Sequence, residues 1–149
     1  MNIRADFNMP CKDPLCAIIP SMKSLQPKEA FQFLKNHPSA VLIDVRSEIE
    51  FLFVGHPVGA IHVPWNDGPD WEINPDFVAH VKKIANESRP VLLICRSGVR
   101  SRDAGMALKD SGFREVYNIL HGFEGDLDDA HRRSSLNGWR FDQLPWEQC

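Results

Sequence analysis

No apolar run in this chain approaches the ~18 residues that a membrane-spanning helix needs. The amino-terminal stretch MNIRADFNMPCKDPLCAIIPSMKS holds only the short LCAII patch, interrupted by prolines and charges. It lacks the apolar centre of a secretory signal, so a cytoplasmic protein is the expectation. A surplus of positive charge is missing too. Seventeen Lys and Arg face twenty Asp and Glu, for a formal charge of −3. The densest basic cluster is HRR at 131–133, read as a solvated face, and a general nucleic-acid partner is not expected. Cysteine is scarce, with four in the chain. In a reducing compartment these are thiols rather than a disulfide framework. No metal is expected either: His56 and His62 have no cluster with ligand spacing around them, and Cys11 and Cys16 cannot fill a four-ligand zinc site alone.

What is present suffices for a packed core. With 149 residues and 43% hydrophobic content, a single domain burying roughly two-thirds of its unfolded surface is expected. Residues 1–20 are rich in proline, lack periodicity and read as an irregular arm. Residues 21–149 then form the domain, including a carboxy-terminal extension over 134–149. SLQPKEAFQFLKNH has helical spacing, with Pro27 in the first turn and Ala30, Phe31 and Leu34 on one face. AVLIDV is a continuous apolar run of strand length, as in a buried parallel strand. SEIEFLFVG opens on a capping-box pattern, Ser47 with Glu50, and reads as a helix that stops at Gly55.

GAIHVPW is a further short strand, and the turn-rich NDGPDWEINPD is expected to be a loop. PDFVAHVKKIANES is a helix, PVLLIC a strand, SRDAGMALKDSG a helix and EVYNI a strand. The tail from GFEGDLDDAHRR starts as a helix in this reading and becomes irregular around Trp139 and Trp146. Strands alternating with helices imply an α/β domain with a mainly parallel central sheet, helices on both faces. Sites in such sheets lie at the carboxyl ends of the strands.

Cys95 sits at that address, followed by Arg96, Ser97, Gly98, Val99, Arg100 and Ser101. The positive end of the following helix is worth about 0.3–1 kcal/mol to an anion there. Two guanidinium groups and a nest of backbone N–H groups add to it. Gly98 suits a tight turn and Ser101 is a good helix N-cap. The ordinary alternative is a buried strand cysteine next to a glycine turn, but an inert turn has no reason to collect cations beside a thiol. Tyrosine-type and low-molecular-weight phosphatases separate their cysteine and arginine by five residues. Four lie between Cys95 and Arg100, so phosphoryl chemistry is the weaker option.

The loop CRSGVR resembles the six-residue active-site loop of the rhodanese (thiosulfate sulfurtransferase) family in its single-domain form. LIDVRSEIEFLFVGHPVGAIHVP and GFREVYNILHGFEG resemble two further blocks of that family, in the family's order. The resemblance spans roughly Ser24 to Trp146 and implies a rhodanese-like fold. It implies that Cys95 attacks the outer sulfur of thiosulfate, releases sulfite and carries a persulfide. Backbone N–H groups from Arg96 to Arg100 would cradle that sulfur, and the Arg96 and Arg100 side chains would attract the donor. No cofactor is implied beyond this covalent persulfide. The implied partners are a small anionic sulfur donor and a thiol or cyanide acceptor, a protein acceptor included. The charged loop favours thiosulfate over mercaptopyruvate.

A second class stays open: a carrier or signalling module loaded by a partner, with little turnover of thiosulfate. The intact Cys95 favours the enzyme. Asp44, Arg46 and Glu50 form a charged set at the end of AVLIDV, expected to pair structurally and to support the site, with substrate contact as the other use. Trp65 is placed either at the pocket mouth or in the core. Cys11, Cys16 and Cys149 are read as incidental thiols, with a sulfur relay as the other use of the first two.

Overall fold

The computed structural model describes residues 22–149. Residues 1–20, with Cys11 and Cys16, lie outside them. Five strands build one wholly parallel sheet: β1 (Lys23–Leu25), β2 (Val41–Asp44), β4 (Ile61–His62), β7 (Val91–Ile94) and β8 (Val116–Ile119). Their order across the sheet is β1-β8-β7-β2-β4, so the two most apolar strands, VLID and VLLI, lie side by side in its interior. Successive side chains of a strand point to opposite faces, and each face has its own core. Val41, Ile43, Val91, Leu93 and Cys95 pack with Phe77 and Val81 of α2 (Phe77–Ile84) and with Ala104 and Leu108 of α3 (Val99–Asp110). Leu42, Leu92, Ile94, Tyr117 and Ile119 pack on the other side with Ala30 of α1 (Pro27–Asn36), Phe123 and Trp139. Burying each of the larger aliphatic side chains stabilises by about 1.5–3 kcal/mol.

Four local expectations differ from what forms. SEIEFLFVG makes a single widened turn, a π-helix over Glu50–Val54, instead of a regular α-helix. The Ser47–Glu50 capping contacts are present, but Gly55 N–H reaches back five residues to the Glu50 carbonyl. Its last carbonyls are taken by distant groups: Cys149 N–H on Leu52, Gln148 on Phe53 and Arg140 on Val54. Partners that far along the chain set the width of the turn, and its local sequence carries no sign of them.

The turn-rich segment after Trp65 is a small hairpin, β5 (Asn66–Asp67) with β6 (Glu72–Ile73), docked through Asp67 on the Glu48 N–H. The edge strand β1 was not expected: KSL is too short and polar to show a strand pattern, and pairing with β8 creates it. The tail contains no helix. Gly125 and Gly138 pass so closely that an added Cβ on Gly138 would meet the Gly125 nitrogen at 2.7 Å, a contact that only bare backbone permits.

The carboxy-terminal extension ends in β9 (Trp146–Glu147), antiparallel to β3 (His56–Pro57). Trp146 lies against Gly55, whose φ of 112° and missing side chain leave room for the indole. This seats the extension on the π-helix, next to the carboxyl ends of the strands. No described helix is long and apolar enough to cross a membrane.

Candidate active site

Strand β7 is apolar to its end, and the chain turns immediately after it. Cys95 is the first residue past the strand, 1% exposed, at the carboxyl edge of the sheet. Gly98 has a φ of 107°, a conformation a glycine adopts without strain, and it is the N-cap residue of α3. That conformation turns the Gly98 N–H onto Cys95 Sγ at 3.0 Å. The helix begins at Val99, with its cap three residues before Ser101, so Ser101 is not the cap. It lies within the first turn of α3, fully buried, with its Oγ 3.2 Å from Cys95 Sγ. From inside the first turn its oxygen lies between two groups, the Cys95 sulfur and Asn118 Oδ1.

The loop rests on the segment that follows β8. Phe123 N–H donates to the Cys95 carbonyl at 2.7 Å, and Glu124 and Gly125 N–H donate to the Arg96 carbonyl at 3.0 and 3.2 Å. Gly122 makes this approach possible: a Cβ there would lie 2.4 Å from the Cys95 carbonyl oxygen. The backbone of CRSGVR is therefore held from behind, with its exposed parts, Arg96 and Val99, facing outward.

The two arginines are in different situations. Arg96 is exposed. Arg100 is half-buried and makes a two-pronged pair with Glu50, Nη1–Oε1 at 2.7 Å and Nη2–Oε2 at 2.9 Å. Its guanidinium also lies 5.4 Å from the ring centre of Trp71, at the tip of the β5–β6 hairpin. The two side chains expected to attract the donor are thus placed differently, Arg96 exposed and Arg100 engaged by a carboxylate. Burial works against the Arg100 charge, but the Glu50 carboxylate, aided by the Cys95 sulfur and Asp44, outweighs it and holds Arg100 above its ordinary range.

Burial likewise raises the Glu50 carboxyl, yet hydrogen bonds and charge from Arg100, with Ser47 adding to them, bring it down to about 2. A carboxyl lowered in the folded state stabilises the fold above its ordinary value of 4.5, and that part is lost as pH falls from there through about 2. Glu50→Gln is expected to lower the urea midpoint at neutral pH and to flatten the loss of stability between those two pH values. Urea midpoints collected for both proteins from pH 7 to 2 test this; parallel curves would show that the pair contributes nothing.

The charged set Asp44, Arg46 and Glu50 separates into two pairs. Asp44 and Arg46 are completely buried and bonded to each other, with Arg46 Nε 3.0 Å from Asp44 Oδ1 and Nη2 2.6 Å from Oδ2. Arg46 also donates to the Gly55 carbonyl and lies over the Phe123 ring. No solvent-borne molecule reaches either side chain in this arrangement. His62 lies 2.7 Å from the Arg46 carbonyl, and His56 stacks on Phe51 at 3.8 Å. No group of three or more metal-binding side chains occurs among the described residues. Trp65 packs edge-on against Phe77 in the core. Cys149 is exposed, with its sulfur on the Leu52 carbonyl. The sequence reading missed Asn118 and Trp71. Asn118 could have been noticed as the polar residue of an otherwise apolar strand; Trp71 gives no such signal.

Comparison with known proteins bears on the family and the fold. The chain matches the model of the Rhodanese-like domain over residues 27–128. The Rickettsia conorii protein RC0915, itself uncharacterized, is 30% identical over 135 residues, which span 85% of this chain and 98% of that one. A Haemophilus influenzae thiosulfate sulfurtransferase, GlpE, is 28% identical over 105 residues, 70% of this chain and 88% of its own. Among solved structures, Rv0390 of M. tuberculosis superposes with a TM-score of 0.78 at 36% identity, covering 87% of this chain and 100% of that one. The polysulfide-sulfur transferase homodimer of Wolinella succinogenes shares the fold, with a TM-score of 0.59 at 22% identity, over 99% of this chain and 88% of that one.

Proposed function

This chain belongs to the rhodanese-like domain family of sulfurtransferases, and from that premise we propose that it moves sulfane sulfur from thiosulfate, or a similar small anionic donor, to a thiol or cyanide acceptor, in the cytoplasm. The observation that carries this reading is Cys95 at the end of β7, its sulfur meeting the Gly98 N–H inside a loop whose backbone is held from behind. In the first half-reaction the Cys95 thiolate attacks the outer sulfur of thiosulfate. The S–S bond of the donor breaks, sulfite leaves with the bonding pair, and a persulfide remains on Cys95. In the second, an acceptor nucleophile attacks the outer persulfide sulfur and the Cys95 thiolate leaves. The two steps give ping-pong kinetics.

Supporting roles follow from position. The Gly98 N–H already lies on the sulfur at the positive end of α3, and in this reading the N–H groups from Arg96 to Arg100 together cradle the persulfide charge. Arg96, exposed at the rim, draws in the donor anion. Arg100, paired with Glu50, contributes its fixed N–H groups and orders the loop more than it supplies free charge. Asp44 and Arg46 hold the strand end and the π-helix. A cysteine with 1% exposure favours small, slender donors over bulky ones.

Intact mass measurement tests the reading. Incubation with thiosulfate is expected to give a species heavier by one sulfur atom, and cyanide is expected to remove it with formation of thiocyanate. An unaltered mass, with the fold intact, would overturn the thiosulfate reading and favour a module loaded by a partner protein.

A further inference from the structure

Asn118 is the third residue of the otherwise apolar strand β8, is 4% exposed, and has no place in the steps above. Its side-chain amide spans two partners. Nδ2 donates to the Gly98 carbonyl at 3.0 Å, and Oδ1 meets Ser101 Oγ at 2.5 Å. A carbonyl oxygen only accepts hydrogen bonds, so Gly98 fixes which end of the amide faces it. Oδ1 therefore faces Ser101 and also only accepts. The single hydroxyl hydrogen of Ser101 is thereby committed to Asn118. What Ser101 presents to Cys95 Sγ, 3.2 Å away, is a lone pair. A thiol S–H can donate to that lone pair; a thiolate gains nothing from it. The Gly98 N–H, which also meets the sulfur, accommodates either form.

We infer that Asn118 is a positioning residue which holds the Ser101 hydrogen, makes Ser101 an acceptor, and so keeps the empty Cys95 sulfur protonated until the hydroxyl turns from Asn118 to the sulfur. The inference rests on Cys95 being the sulfur carrier, and it adds a gate to that role. With the hydroxyl on Asn118 the sulfur is a guarded thiol. With the hydroxyl rotated, Ser101 and Gly98 both donate to it and the nucleophile is formed, its proton leaving to solvent. The charged groups on the neighbouring elements are Arg96 and Arg100 on the loop, Glu50 on the π-helix, Asp44 at the end of β2 with Arg46 just beyond it, and His121 with Asp126 after β8. They are unaltered by substitutions at 101 and 118, so their effect is common to the proteins compared.

The rate at which iodoacetamide alkylates Cys95 reads the thiolate directly and needs no sulfur donor. It is measured across pH on the full chain, with the Cys95 peptide followed by mass. Ser101→Ala removes the acceptor and is expected to speed alkylation below the plateau by about threefold, moving the profile to lower pH. In an Asn118→Leu background the hydroxyl is free to donate to sulfur, so the same Ser101→Ala change is expected to slow alkylation by a similar factor. Opposite signs in the two backgrounds support the gate, and a merely structural role would not reverse its sign. One sign in both backgrounds, or no effect in either, overturns it. Should Asn118→Leu fail to fold, Ser101→Ala alone decides, because a hydroxyl that already donates to sulfur would give slower alkylation. Failure to form a persulfide with thiosulfate would leave these alkylation results standing, so the two readings fail separately.

Discussion

Replacing Cys95 with serine is expected to remove thiosulfate:cyanide sulfur transfer, a fall of roughly 10³-fold or more in kcat/KM, while leaving the fold in place. A hydroxyl at this position could still accept the Gly98 N–H and sit beside Ser101, so the loop keeps its local bonds. It cannot take their chemical place. Sulfur transfer requires a polarisable nucleophile that forms a sulfur–sulfur bond and later leaves as a thiolate, and an alkoxide meets neither requirement at neutral pH. Loss of activity with an unaltered melting temperature, and no added sulfur in the mass, is the expected result. Transfer persisting at more than a few per cent would place the sulfur on another cysteine, and labelling with a thiol reagent after thiosulfate loading would identify it.

The reason this centre was legible in the sequence is that its parts are consecutive. VLLIC carries its own strand signal, Gly98 its own turn signal, and α3 its own periodicity, so the address of Cys95 follows from short-range patterns. The parallel sheet was legible for the same reason, since each apolar run of strand length alternates with a helix. What was not legible depends on partners far apart in the chain. Glu50 shows a capping pattern with Ser47, and that pattern is correct, but its second partner, Arg100, is fifty residues away. The width of the π-helix is set from Arg140, Gln148 and Cys149, and β1 exists because β8 is beside it. By residue type Ser101 suits a cap, whereas Gly98 takes it because its backbone can adopt a positive φ. The consequence is chemical: a capping serine would have spent its hydroxyl on the helix, and this one stands between Asn118 Oδ1 and the sulfur.

The largest loss of stability is expected from Arg46→Met. The substitution leaves Asp44 charged and completely buried, and removes the donor on the Gly55 carbonyl at the end of the π-helix. Breaking a buried pair by removing one partner costs about 3–5 kcal/mol, mostly for the stranded charge. The double change Asp44→Leu with Arg46→Met removes that charge as well, so it is expected to cost less than the single one. Urea unfolding of the two variants gives this comparison, and a double variant no more stable than the single one would assign the cost to lost packing. Activity separates the remaining possibility. With both side chains at 0% exposure, thiosulfate has no path to them, so Arg46→Met is expected to leave the KM for thiosulfate unaltered at a temperature where the variant is folded. A KM raised severalfold with little change in stability would instead place Arg46 in contact with the donor, and the burial seen here would then belong to a closed state of the loop.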